Sequence, residues 1–104
     1  MFEMHYNIIM ISFAWDEKKD IENQRKHNIS FDEAKTVFFD EEALEFSDPD
    51  HSGEEDRFIM LGRSYRLRVP VVCHCHRENE GLIRIISARK ATKKENRAYA
   101  RGAK

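Results

Sequence analysis

The stretch Arg84–Tyr99, RIISARKATKKENRAY, decides how this chain is built. Its first residues close an apolar run, Leu82–Ser87, that reads as a buried strand. Thr92 with Glu95 three residues later is a capping box, opening a helix to about Arg101. A strand therefore passes into a capped basic helix through Ser87–Ala91, with Arg89 at the junction.

Upstream, Arg57–Arg63 and Arg68–His76 read as two further strands. The links Ser64–Arg66 and Glu78–Gly81 are short, which favours antiparallel hairpins because parallel neighbours need long crossovers. Glu42–Phe46 is a short strand, followed by the turn-rich loop Ser47–Asp56, SDPDHSGEED. Before it, Ser30 and Glu33 form another capping box, starting a helix over about Phe31–Phe38 with Ile29 and Ala34 at the staple positions. Ala34, Val37 and Phe38 share one face and should meet the sheet. Asp16 caps a polar helix over Glu17–His27, whose one strongly apolar residue, Ile21, is its expected contact. Asn7–Phe13 is a first strand. The order β-α-α-β-β-β-β-α predicts a small α+β domain: an antiparallel sheet packed with two N-terminal helices and one C-terminal helix.

The 104 residues suit one domain spanning 1–104. With 40% hydrophobic residues, disorder is not expected. No window approaches a membrane span, and the N-terminus lacks a signal-peptide pattern, so a cytoplasmic protein is the simplest expectation. The net charge of -1 conceals a split. Residues 1–56 carry sixteen acids against five Lys/Arg, and residues 57–104 carry three acids against thirteen Lys/Arg. Either the halves neutralise each other across the fold, or the second half presents a basic surface to a charged partner.

Phe13–Asp40, the acidic loop with His51, Glu54–Ser64 and Arg84–Tyr99 together resemble the BrnT family of bacterial toxins. The resemblance runs from about Phe13 to Tyr99. It implies a RelE-like fold and a type II toxin–antitoxin toxin that cleaves RNA and suppresses translation. The implied partner is a ribbon-helix-helix antitoxin (BrnA-like), in a hetero-oligomer that meets operator DNA through the antitoxin. The family pattern puts weight on Trp15, Asp16, Lys19, Asn23, Lys26, His27, Phe31, Arg57, Gly62, Ser87, Ala88, Arg89, Glu95 and Tyr99. Asn28 stands where the family usually has glycine, and Asn tolerates the left-handed conformation needed there.

RNA can be cut without metal or cofactor when its 2′-OH attacks the adjacent phosphate, given a base, an acid and cations. Arg89, with its planar fork, is the first candidate for phosphate, and Arg57 the second. A salt bridge is the alternative for each. His27 has the chemistry of a general acid or base, and equally the position of a helix C-terminal cap. Lys26 could add charge, and Tyr99 could stack on a base or pack on the sheet. Lys90, Lys93, Lys94 and Arg97 form a stripe suited to a nucleic-acid backbone or an acidic antitoxin segment. No metal site is expected. Cys73 and Cys75 would face one way along a strand and His74 and His76 the other; a two-histidine site would need His5 or His51. The rival functional reading is a non-catalytic module that binds antitoxin and regulates its operon.

Overall fold

A computed structural model describes residues 11–48, 57–76 and 81–102. Within them the elements are β1 (Ser12–Ala14), α1 (Glu17–His27), α2 (Phe31–Lys35) continued by a 3-10 turn (Thr36–Phe39), β2 (Leu44–Ser47), β3 (Arg57–Leu61), β4 (Pro70–His76), β5 (Leu82–Lys90) and α3 (Lys93–Arg101). This is the expected α+β order. Residues 7–10 of the expected first strand, and most of the expected Ser47–Asp56 loop with His51, lie outside the described residues, as does His5.

The five strands form one sheet in the order β1-β5-β4-β3-β2. The strands β3, β4 and β5 are antiparallel neighbours, as the short links between them favour, and β2 pairs antiparallel with β3 as well. The sheet is nevertheless mixed, because β1 pairs parallel with β5. A link-length argument has no hold on β1, which reaches β5 only through the rest of the chain. β5 also runs three residues beyond its apolar stretch, with Ala88, Arg89 and Lys90 opposite Val72, Val71 and Pro70. Arg89 is thus a strand residue, not one that follows the strand.

The main core cluster lies on one sheet face. Val72, Ile85 and Ala88 meet Ile29, Phe31, Ala34 and Val37, with Phe13, Trp15, Phe38 and Met60 packed around them. Phe13 stacks on Phe38 at 5.3 Å, and Trp15 meets the edge of Phe31 at 6.1 Å. Gly62 lets the chain leave β3 close to this layer: a Cβ there would stand 3.0 Å from that of Ala43 and 3.2 Å from that of Val37. Burying apolar area on this scale is the main stabilising term of a small domain.

The seating of α1 departs from expectation. Ile21 is 66% exposed, while Asp20 and Asn23 are buried. The helix docks through hydrogen bonds. Asn23 Nδ2 donates to the carbonyls of Ile29 and Ala88, each at 2.8 Å, and its Oδ1 accepts from the Ala88 amide at 3.0 Å. Asp20 accepts from the Phe31 amide at 2.8 Å. The caps follow the sequence: Asp16 accepts from the amides of Lys18 and Lys19, and Asn28 closes α1 at φ 57.

The first capping box is only half made. Ser30 accepts from the Glu33 amide, but the Glu33 carboxylate turns inward. There it takes the Arg68 guanidinium through both oxygens and the Ser64 hydroxyl at 2.7 Å. Burial works to raise the Glu33 carboxyl pKa, but the Arg68 and Ser64 hydrogen bonds outweigh it and hold the group below its ordinary range. This pair joins the acidic half of the sequence to the basic half, so part of the charge split is settled internally.

Two substitutions test these buried polar contacts. Asn23→Ala leaves the Ala88 and Ile29 backbone groups without their partner and should lower the unfolding free energy by about 3 kcal/mol, read by urea denaturation. Glu33→Gln should cost about 3 kcal/mol at neutral pH. Because the folded carboxyl pKa is depressed, its contribution is full above the unfolded value and fades as pH falls through and below about 4.5. The gap between wild type and Glu33→Gln should therefore narrow in acid; a constant gap would refute the assignment.

Candidate active site

The C-terminal end of α1 and the junction between β5 and α3 enclose a cleft of about 520 Å³. It is lined by Arg25, Lys26, His27, Asn28, Arg89, Lys90 and Thr92. Four residues singled out from sequence, Lys26, His27, Arg89 and Lys90, thus converge from segments more than sixty residues apart. The convergence follows from the docking of α1. Asn23 holds the helix on Ala88, and one turn later His27 stands beside the residues that follow Ala88 in β5. The αL turn at Asn28 ends the helix at this point, leaving His27 exposed in its last position.

Arg89 is already oriented. Its Nη1 and Nη2 donate to the two Glu95 oxygens at 2.8 and 2.9 Å. Glu95 also completes the cap of α3, accepting from the Thr92 amide at 2.9 Å while Thr92 accepts from the Glu95 amide at 3.1 Å. The Arg89 hydrogen bonds, joined by that of Thr92, hold the Glu95 carboxyl down at about 2. Glu95 is thus a carboxylate at all working pH, unsuited to act as a general base. The Arg89 side chain remains 44% exposed, so its fork keeps a solvent face.

Lys93, Lys94 and Arg97 extend the basic surface along the exposed side of α3. Beneath α3, a groove of about 460 Å³ separates it from Phe46, Ile59, Leu61 and Val71 on the second sheet face. Tyr99 and Arg57 do not line the cleft. The Tyr99 hydroxyl donates to Asp40 Oδ2 at 2.5 Å, and its ring carries the Arg63 guanidinium at 5.6 Å. Burial and the Asp40 hydrogen bond push the Tyr99 phenol up to about 12. Arg57 opens β3 opposite Cys75, at the other end of the ladder from the Val71–Arg89 pair.

A second cluster escaped sequence reasoning. His74 and His76 do share a face, and among the described residues the third group is Glu45 from β2; His5 and His51 lie outside them. His74 Nε2 lies 2.9 Å and His76 Nε2 3.4 Å from Glu45 Oε2. Strand alternation pointed to the histidine pair, but the partner comes from across β3, where spacing carries no signal. Burial lowers the His74 pKa against the opposing pull of Glu45, so the ring favours neutrality. Neither Cys73 nor Cys75 is in a disulfide.

No curated protein sequence matches the chain. The crystal structure of the Brucella abortus ribonuclease toxin BrnT superimposes with a TM-score of 0.60 at 22% identity, covering 80% of this chain and 99% of that one. That likeness concerns the fold. The family model described as the ribonuclease toxin BrnT of type II toxin–antitoxin systems matches residues 15–95, most of the chain and all of the cleft. The chain belongs to the BrnT family of ribonuclease toxins of type II toxin–antitoxin systems.

Proposed function

We propose that this chain is an endoribonuclease that cuts RNA without a catalytic metal, at the cleft between α1 and the β5–α3 junction. The observation that carries the reading is the meeting of His27, Lys26, Arg89 and Lys90 in one recess. A phosphodiester seated there would face four cationic side chains, Arg25, Lys26, Arg89 and Lys90, and one imidazole. The ribose 2′-OH attacks phosphorus, the 5′-oxygen leaves, and a 2′,3′-cyclic phosphate remains. His27 exchanges a proton with the attacking or departing oxygen, while Arg89, Lys90 and Lys26 stabilise the charge that builds on the phosphorane. Glu95 is a positioning residue: by holding both Arg89 nitrogens it aims the fork before substrate arrives. The α3 stripe follows the flanking RNA backbone.

In this reading cleavage acts on cytoplasmic RNA and inhibits translation. A ribbon-helix-helix antitoxin neutralises the toxin by covering the basic surface, and brings the complex to operator DNA. The groove beneath α3, apolar on its sheet side and flanked by Lys94, offers such a partner an adjoining foothold.

Purified chain, freed of any antitoxin, should cleave RNA in the presence of EDTA. Arg89→Ala should reduce the cleavage rate by about 100-fold or more, and His27→Ala by a similar factor, both with unchanged circular dichroism. Full activity in either variant would overturn its assigned role. Tight antitoxin binding by a folded wild type that never cleaves would favour the non-catalytic module instead. Lys93→Ala with Lys94→Ala should flatten the dependence of log RNA affinity on log salt by about 1.4, since each phosphate neutralised on a single strand contributes roughly 0.7 to that slope. An unchanged slope would remove α3 from the RNA path.

A further inference from the structure

We propose that Glu45, His74 and His76 bind one divalent transition-metal ion of the zinc class, with the fourth position open to solvent. The three ligand atoms lie within 4.8 Å of one another. Ligands of tetrahedral zinc, bound at about 2.0–2.1 Å, stand about 3.4 Å apart. The His76–Glu45 separation of 3.4 Å matches that spacing, the His74–Glu45 separation of 2.9 Å needs a shift of half an ångström, and the two imidazole nitrogens, within 4.8 Å of each other, close by up to about 1.4 Å on binding.

The hydrogen bonding of His74 supports the assignment. Its Nδ1 faces the Val72 carbonyl at 3.3 Å and its Nε2 faces the Glu45 carboxylate at 2.9 Å. Both oxygens only accept, and a neutral imidazole has one N–H to give. If Nδ1–H goes to Val72, the usual outer partner of a metal-bound histidine, Nε2 turns a lone pair toward a carboxylate. A cation between them satisfies both. The rings are held for it: Phe38 meets His74 at 4.7 Å, Phe58 meets His76 at 5.2 Å, and the two imidazoles stand 5.3 Å apart.

Exposure gives the direction of entry. The His74 side chain is fully buried, while those of Glu45 and His76 are 39% and 49% exposed. An ion would therefore rest on His74 and keep its outer face in water. Two imidazoles and one carboxylate select zinc, cobalt or nickel over magnesium and calcium, which prefer oxygen ligands. The site lies toward the His76 end of β4, whereas Arg89 pairs with Val71 near the other end. Its role is a clasp: it ties β2 to β4 over the intervening β3, apart from the RNA cleft, and it stands whether or not the cleft cleaves RNA.

The test uses full-length, tag-free protein stripped with EDTA and dialysed. Zinc is titrated calorimetrically, and cobalt is followed by its visible absorption. One equivalent of each should bind at micromolar concentration, cobalt should give the intense spectrum of a four-coordinate site, and zinc should raise the melting temperature. His76→Ala and Glu45→Gln alter partly exposed side chains and should fold. Each should weaken zinc binding by more than about tenfold, the lower bound for disturbing even an outer partner of a metal ligand. Cys73→Ser should leave binding unchanged. No stoichiometric binding would mean that a proton alone bridges His74 and Glu45, and would overturn the proposal. So would undiminished binding in folded His76→Ala, or binding abolished in Cys73→Ser but kept in His76→Ala.

Discussion

The carboxamide of Asn23 does what a sixth strand would otherwise have to do. β1 pairs with β5 only as far as Arg84, so beyond that point the β5 edge needs other partners for its backbone groups. At Ala88, Asn23 supplies one acceptor and one donor, the same pair that a neighbouring strand presents. Its second N–H takes the Ile29 carbonyl, which fixes the link between α1 and α2. One side chain thereby sets the helix on the sheet, the helix pair on each other and the end of α1 beside Arg89. Buried amides left unsatisfied are costly, so this arrangement is specific as well as stabilising.

Around that anchor the opposed charges of the two halves are divided between internal and surface duties. Glu33 engages Arg68 in the interior, and Asp40 receives the Arg63 amide and the Tyr99 hydroxyl. These contacts commit acidic groups of the first half to the second. Arg89 is paired within its own half, with Glu95, and Lys90, Lys93, Lys94 and Arg97 remain exposed. These exposed cations of α3 and its junction with β5 adjoin the cleft.

Local signals in the sequence located the elements well. Asp16, Ser30 and Thr92 cap the three helices they were expected to cap, and Asn28 takes the left-handed turn. What stayed hidden depends on side chains finding partners far along the chain. Asn23 entered through family resemblance alone; its hydrogen bonds to Ala88 leave no periodic trace in a polar helix. Glu33 looked like a local cap because spacing cannot reveal Arg68 thirty-five residues away. The same blindness hid Glu45 from the two histidines. Arg89 and His27 were singled out for the chemistry of their side chains, but their proximity was not legible, because it arises from the docking of α1 against β5.

Glu95 holds two structures with one carboxylate: the guanidinium of Arg89 and the first turn of α3. Any anion that draws Arg89 toward itself leaves that carboxylate with the helix cap alone. The side chain of Arg89 and the start of α3 are thereby linked through a single shared acceptor. α3 buries none of its residues fully, and its farther end is held by the Tyr99–Asp40 hydrogen bond and the Arg63–Tyr99 contact. The start of the basic helix is thus fixed by the same group that fixes the Arg89 fork in the cleft.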